Sequence, residues 1–138
     1  MPPSHPSCTT RAGQPKARVL VVDDEPAVAR GLRLRLRGCE LHAVGSVDAG
    51  VALLGRGEAF DLVLCDVMMP GRLGTELVRW IEGARPDLLP RVVLMTGGVR
   101  DPDTMRRIEA SGVPLLAKPF DVDVLWRLLM DRGLALAA

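Results

Sequence analysis

The feature that most constrains this chain is its alternation of short apolar runs with longer segments of helical periodicity, repeated five times. Apolar strands that lack polar alternation and are separated by helices are typical of a parallel sheet covered on both faces. Since such crossovers are right-handed, the pattern predicts a doubly wound α/β fold with a five-stranded parallel sheet. The predicted strands are 18–22, 40–44, 60–65, 91–95 and 113–117, and the helices begin at Asp24-Glu25-Pro26, Ser46, Thr75, Asp101 and Asp121.

One segment fits two periodicities. Leu and Arg alternate over residues 32–37, which alone would indicate a strand. The Asp-Glu-Pro start before this segment and Gly38 after it are helix start and stop signals. They favour a helix, in which Leu34 would be partly exposed.

Length and charge limit the domain organisation and the partners. A chain of 138 residues fits one domain, predicted over residues 18–133, with a disordered leader at 1–17 and a tail at 134–138. The formal net charge of +1 does not provide the positive electrostatic potential that attracts nucleic acid or an anionic membrane, so neither is the expected partner. The leader lacks the apolar core of a signal peptide, and no apolar run reaches about 18 residues. A cytoplasmic protein is therefore expected.

Polar side chains follow four of the five predicted strands. Asp23 and Asp24 end the first strand, Asp66 the third, Thr96 the fourth and Lys118 the fifth. Ligands in doubly wound folds bind beyond the carboxyl ends of the strands, so these groups are expected to share one site. Three converging carboxylates repel one another unless some are protonated or a cation neutralises them.

The chemistry of this set suits a phosphoryl group. Hard oxygen ligands without His or Cys favour Mg²⁺, which keeps waters and binds phosphate oxygens. An ammonium at Lys118 and a hydroxyl at Thr96 add positioning and charge neutralisation. Asp is an established covalent acceptor of phosphoryl groups. Asp66 is the best-placed nucleophile, because it ends the central strand before a Pro/Gly loop.

Each feature has a simpler interpretation when taken singly. The pair Asp23-Asp24 with Pro26 can cap a helix, and Asp66 can be a turn residue. Thr96 before two glycines can be a turn hydroxyl, and Lys118 a solvated side chain. The conjunction at strand ends of one sheet favours the functional interpretation.

The sequence resembles the receiver domain of bacterial response regulators. The matching segments are VLVVDDEP at 19–26, LVLCDVMMPGRLG at 62–74, VVLMTGG at 92–98 and LLAKPF at 115–120, and the similarity covers residues 18–132. The resemblance implies a flavodoxin-like sheet with strand order 2-1-3-4-5. The MTGG and KPF segments look most like receivers attached to, or partnered with, hybrid sensor histidine kinases.

The resemblance also implies a role for each residue of the site. Asp66 would be phosphorylated from the phosphohistidine of a sensor histidine kinase or phosphotransfer protein, and the domain would assist this reaction without being an enzyme. Mg²⁺ would be held by Asp24, Asp66 and the backbone carbonyl of Met68, with Asp23 acting mostly through water. Thr96 and Lys118 would bind the phosphoryl group. The peptide between Lys118 and Pro119 would be cis, which proline permits.

Two departures from the family pattern affect signalling. Receivers often carry Tyr or Phe where this chain has Leu115, so a threonine–aromatic switch is excluded and a core role is expected for Leu115. The positions two beyond Asp66 and two beyond Thr96 are Met68 and Gly98. Neither side chain can hydrogen-bond a hydrolytic water, so slow intrinsic dephosphorylation is expected.

Trp126 is the candidate contact residue. It is expected either to face outward near Leu115, as part of a homodimer or effector surface formed by the fourth helix, fifth strand and fifth helix, or to be covered by its neighbours. The alternative function is a phosphorylation-independent pseudo-receiver that serves as an interaction module. A flavodoxin or an aspartate-nucleophile phosphatase fits less well, since the chain has few aromatic residues and Met68 stands where the phosphatase needs a second Asp.

Overall fold

The computed structural model describes residues 17–99 and 101–131, over which strands and helices alternate. The strands are β1 (Arg18–Val22), β2 (Glu40–Val44), β3 (Leu62–Asp66), β4 (Val92–Thr96) and β5 (Leu115–Ala117). The helices are α1 (Pro26–Arg35), α2 (Val47–Gly55), α3 (Gly74–Ala84), α4 (Pro102–Ser111) and α5 (Val122–Asp131). The predicted five-fold alternation is confirmed.

The five strands form one parallel sheet in the order β2-β1-β3-β4-β5, as the resemblance implied. The chain moves from β1 to β2 on one side and then crosses to β3 on the other. The direction of winding therefore reverses between β1 and β3. In such sheets a crevice opens beyond the carboxyl ends of the strands at this point, where ligands bind.

The sheet is covered on both faces, which explains the continuous apolar strands. Leu20 and Val22 of β1 pack in a core with residues of α2, α3 and α4. Val19 and Val21 point to the opposite face and pack with residues of α1 and α5. Each strand residue thus needs an apolar side chain whichever face it meets.

Local signals set the ends of several helices as expected. The Ser46 hydroxyl accepts a hydrogen bond from the Ala49 N–H at 3.1 Å, and the Asp101 carboxylate accepts one from the Thr104 N–H at 3.3 Å. Gly112 ends α4 with φ 71°, a left-handed conformation that glycine adopts freely. The ambiguous segment is helical to Arg35, and Leu34 is 67% exposed.

Other boundaries differ from the prediction. Helix α3 begins at Gly74 and is preceded by Leu73, whose N–H donates to the Glu76 carboxylate at 2.7 Å, so Thr75 is not its cap. Strands β3 and β4 run one residue further than predicted and include Asp66 and Thr96 as their last residues. A 3₁₀ segment at Pro86–Arg91, which the sequence analysis missed, leads into β4. Strand β5 is short.

Of the two positions expected for Trp126, the outward one is wrong, and cover by its neighbours is confirmed. Trp126 is 3% exposed and packs in the core cluster between the sheet, α1 and α5. Together with Val122 and Leu125 it follows the i, i+3, i+4 spacing of a buried helix face, which the sequence analysis assigned too narrowly. The outward residue of this turn is Val124, at 42% exposed.

The predicted leader and tail lie almost entirely outside the described residues. Ala17, the last residue of the predicted leader, is buried, and its carbonyl accepts a hydrogen bond from the Glu40 N–H at 2.8 Å. Within residues 17–99 and 101–131, none of the helices has the length and apolarity needed to span a bilayer.

Candidate functional site

The residues singled out from the sequence meet at the carboxyl end of the sheet. Asp23 directly follows β1, Asp66 ends β3, Thr96 ends β4 and Lys118 directly follows β5. Neighbouring strands are in register here, since Asp66 pairs with Met95 of β4. The parallel arrangement therefore places two carboxylates, a hydroxyl and an ammonium group beside the point where the winding reverses.

Three carboxylates form the centre of the site. Asp23, Asp24 and Asp66 each offer an oxygen atom, and these atoms all lie within 4.8 Å of one another. Asp23 and Asp66 are buried, whereas Asp24 is exposed. A cluster of carboxylate oxygens open to solvent on one side matches the donors and the accessibility that Mg²⁺ requires.

Lys118 provides the positive charge of the site. Its Nζ atom lies 3.1 Å from Oδ2 of Asp23 and 3.5 Å from Oδ2 of Asp66. The Lys118 N–H also donates to the Thr96 carbonyl at 2.7 Å, and the Lys118–Pro119 peptide is cis, as expected. Burial alone would lower the pKa of the Lys118 ammonium, but the hydrogen bond to Asp23 and the charge of Asp66 raise it overall.

The electrostatics of Asp66 differ from those of an ordinary carboxylate. Burial raises the pKa of Asp66, and the negative charge of Asp23 raises it further. The ammonium of Lys118 and a hydrogen bond from the Met68 backbone N–H lower it, but the net direction is upward. A second cation at the carboxylates would therefore favour the ionised form, which is the nucleophilic one.

Backbone groups fix two of these side chains. Oδ1 of Asp23 accepts a hydrogen bond from the Glu25 N–H at 2.9 Å, leaving Oδ2 for Lys118. Thr96 is buried, and its Oγ1 accepts a hydrogen bond from the Gly98 N–H at 2.9 Å. The Thr96 hydroxyl still carries a proton that it can donate.

The remaining predicted residues occupy separate positions. Met68 lies in the loop after β3 and is 51% exposed. Leu115 is partly buried and packs against the core on the α2, α3 and α4 face, in agreement with the expected core role. Trp126 lies in the core on the opposite face and takes no part in the site.

Gly74 contributes to the site in a way that was not predicted from the sequence. A Cβ atom at this position would lie 2.3 Å from the carbonyl oxygen of Asp66, and the Gly74 N–H donates to the Val67 carbonyl at 2.8 Å. The start of α3 thus closes directly onto the backbone of Asp66. The available signal was the glycine that ends the loop after Asp66, directly before the predicted start of the helix at Thr75.

Comparison with known proteins gives a consistent result. The model of the response regulator receiver domain matches residues 19–129. The chain is 36% identical over 120 residues to the response regulator FleR of Pseudomonas aeruginosa, covering 86% of this chain and 25% of FleR. It is 32% identical over 113 residues to the probable transcriptional regulatory protein TcrX of Mycobacterium tuberculosis, covering 80% of this chain and 47% of TcrX. The chain thus spans a quarter to about half of these relatives.

Solved structures are similar over most of their length. The signal receiver domain of a signal transduction histidine kinase from Syntrophus aciditrophicus has a TM-score of 0.69 and 30% identity, covering 84% of this chain and 89% of that one. The beryllofluoride-activated NtrC4 receiver domain dimer also has a TM-score of 0.69, with 27% identity, covering 85% of this chain and 95% of that one.

Proposed function

The chain belongs to the response regulator receiver family, and from that premise we propose that it is a phosphoacceptor domain whose phosphorylation site is Asp66. The observation that carries the proposal is the meeting of three carboxylates within 4.8 Å with the Nζ atom of Lys118, which lies 3.5 Å from Asp66. This arrangement pairs a nucleophile with groups that neutralise phosphoryl charge. Signal transduction by such domains depends on this chemistry.

The reaction transfers a phosphoryl group from a phosphohistidine. An oxygen of the ionised Asp66 carboxylate attacks phosphorus, and the bond between phosphorus and the donor imidazole nitrogen breaks. The electron pair of that bond returns to the imidazole, and Asp66 becomes an acyl phosphate. Lys118, held beside Asp66, pairs with the phosphoryl oxygens, and the Thr96 hydroxyl donates a hydrogen bond to one of them.

Mg²⁺ fits the carboxylates, which are hard oxygen donors that lie close together, with Asp24 exposed to solvent. Asp24, Asp66 and the backbone carbonyl of Met68 would hold the ion, with Asp23 acting mostly through water. Bound there, Mg²⁺ supplies charge neutralisation for the phosphoryl oxygens. Asp23 is suited to the indirect role, because its Oδ2 already accepts a hydrogen bond from Lys118. Pro119 keeps the chain after Lys118 in its cis turn.

The proposed partners are proteins. The phosphodonor is a sensor histidine kinase or a phosphotransfer protein, and a downstream effector protein binds the phosphorylated form. A groove of about 420 Å³ opens beside Lys118 between α1 and the turn after β5, where Val28, Leu32 and Phe120 offer apolar contacts to the donor. Neither nucleic acid nor membrane is proposed as a direct partner, and the proposed location is the cytoplasm.

A homodimer through α4, β5 and α5 is the proposed self-association. The similar NtrC4 receiver domain is a dimer in its activated form. Since Trp126 is buried in this chain, the dimer surface would use outward residues such as Val124. The association with hybrid sensor kinases stays a prediction.

The alternative function, a phosphorylation-independent interaction module, makes a different prediction for one experiment. The protein is incubated with Mg²⁺ and a small acyl phosphate, and its intact mass is measured. We expect one added phosphoryl group in the wild type, none in Asp66→Asn, and one in the control variant Asp87→Asn, whose exposed carboxylate pairs with Arg85. No uptake by the wild type would favour the interaction module.

A further inference from the structure

A cleft of about 350 Å³ lies between α3 and α4 and shares none of its lining residues with the phosphorylation site. Its volume falls within the range of small-molecule sites in proteins, about 300–1,000 Å³. The lining side chains are apolar at Val78 and Ala110 and polar or charged elsewhere. A short carbon skeleton carrying charged groups is the kind of ligand that fits this lining.

The two walls each contribute an arginine. Arg79 lies on α3 and Arg107 on α4, both line the cleft, and neither has an ion-pair or hydrogen-bond partner among residues 17–99 and 101–131. Guanidinium groups without partners are donors suited to carboxylate or phosphate oxygens. An oxyanion between the two walls would pair with both.

The acidic residues of the cleft are not equivalent. Glu76 is occupied, since its carboxylate accepts the Leu73 N–H at 2.7 Å and lies 3.6 Å from Arg72. Glu82 is exposed and has no such partner in the described chain. It is left to accept a hydrogen bond from a hydroxyl or ammonium group on the same ligand.

An independent observation points to the same place. Thr75 lines the cleft and is only 8% exposed, yet its Oγ1 atom has no hydrogen-bond partner within the described residues. Buried hydroxyls are almost always satisfied in native proteins, and an exception calls for an explanation. A ligand oxygen in the cleft would supply the missing partner once the Thr75 side chain turns its hydroxyl towards the cleft.

Both helices that form the cleft follow loops that leave the phosphorylation site. Helix α3 begins at Gly74, which lies against the Asp66 carbonyl and immediately precedes Thr75. Helix α4 follows the loop that leaves Thr96. A ligand that fixes the spacing of α3 and α4 would therefore act on both loops that surround the acceptor.

We propose that the cleft between α3 and α4 binds a small oxyanionic metabolite, a carboxylate or phosphate that also carries a hydroxyl or amino group, and that its occupancy alters phosphorylation of Asp66. The binding step is independent of the proposed function, whereas the coupling step rests on it. Because coupling between two sites is reciprocal in their equilibrium free energies, phosphorylation would change the affinity of the cleft by the factor by which occupancy shifts the phosphorylation equilibrium.

Binding is tested by NMR titration of the full chain, without Mg²⁺, using inorganic phosphate and malate as separate probes. We expect saturable shifts confined to α3 and α4 with at least one probe, which identifies the kind of oxyanion. Arg107→Ala should weaken binding by about tenfold. The control is Arg106→Ala, which removes the same charge from the same helix but pairs with Asp103 outside the cleft. No saturable shift at millimolar concentrations, or equal loss in both variants, would overturn the proposal.

The role of the buried hydroxyl is tested with Thr75→Val, which keeps the shape and removes the donor. Weaker binding with an unchanged or higher melting temperature supports the assignment, and unchanged binding contradicts it.

The coupling step is read from the rate of Asp66 phosphorylation with and without the bound probe. If Asp66→Asn binds a probe and the wild type takes up no phosphoryl group, the proposed function is refuted while ligand binding in the cleft remains supported. Phosphorylation at equal rates with and without a bound probe would refute the coupling alone.

Discussion

The two ends of the sheet both gather charged residues, but they balance them differently. At the amino end, Arg18 donates to Glu40 at 2.7 Å and to the Ala59 carbonyl at 2.8 Å, and its guanidinium lies 4.6 Å from the centre of the Phe60 ring. At the carboxyl end, three carboxylates lie together and Lys118 pairs with two of them, Asp23 and Asp66. At the amino end the carboxylates are paired with arginines in a structural network, whereas the carboxyl end carries a surplus of carboxylates that a cation or a proton must neutralise. Unbalanced charge in a buried place is therefore the physical signature of the site.

The largest expected effect concerns the close contact between Gly74 and the backbone of Asp66 at the carboxyl end of the sheet. Gly74→Ala should lower the free energy of unfolding by about 3 kcal/mol, because the new methyl group would lie 2.3 Å from the Asp66 carbonyl. Gly83→Ala is the matched control in the same helix, where nothing lies within 4 Å, and should be neutral or stabilising by up to about 1 kcal/mol. Urea denaturation measures both, and equal stability of the two variants would contradict the role of Gly74.

The contact made by Gly74 shows which part of the structure could not be predicted from the sequence. The alternating runs fixed the fold class because each strand must be apolar on both faces, and strand ends then located the carboxylates and Lys118. The close approach of Gly74 to Asp66 could not be predicted, since it depends on how a loop returns to its own strand. The sequence left the position of Trp126 undecided for a related reason: the width of a buried helix face depends on how α5 packs against α1 and the sheet.

Removing the central cation at each end should separate stability from function. Arg18→Met should lower the free energy of unfolding by about 1–2 kcal/mol, reduced by partial solvent exposure, while the phosphorylation rate stays unchanged. Lys118→Met should also destabilise, because Asp23 and Asp66 lose their counter-charge. Added Mg²⁺ should restore stability to Lys118→Met but not to Arg18→Met, and thermal melts with and without Mg²⁺ test this. Equal rescue of both would remove the distinction between the ends.

The lifetime of the acyl phosphate tests whether side chains near Asp66 can orient a water for its hydrolysis. Met68 and Gly98 carry no side chain that can orient a water, so the phosphorylated wild type should persist well beyond seconds. Met68→Gln should shorten the lifetime by roughly tenfold, by placing an amide beside the attacking water. Val124→Gln is the control for adding the same amide at an exposed apolar position. Intact mass after removal of the donor measures the decay, and a wild-type lifetime of seconds would contradict the prediction.

Neutral substitutions of one aspartate at each end should change stability in opposite directions. Without divalent cations, Asp66→Asn should raise the free energy of unfolding by about 1 kcal/mol, since it removes one charge from the crowded carboxylates. Asp61→Asn should lower it, because the Asp61 carboxylate accepts the Arg18 N–H at 2.8 Å and lies 3.8 Å from Arg91. Mg²⁺ should then stabilise Asp61→Asn but not Asp66→Asn. The same change in both variants would indicate that neither end is specialised.

The smallest effect is the response of the two ends to acid. At the carboxyl end the folded protein raises the pKa of Asp66, chiefly through burial, so ionisation opposes folding there. The contribution of Asp66 to the free energy of unfolding therefore increases as the pH falls from above its folded-state pKa towards its lower, unfolded-state pKa. At the amino end the hydrogen bond from Arg18 lowers the pKa of Glu40, so stability from Glu40 is lost as pH falls through its folded pKa. Carboxyl NMR titration should show the Asp66 midpoint above the usual range and the Glu40 midpoint below it. Because Mg²⁺ competes with the proton only at the carboxyl end, it should lower the titration midpoint of Asp66 and leave that of Glu40 unchanged. A shift of both midpoints would mean that the ion does not bind specifically to the three carboxylates.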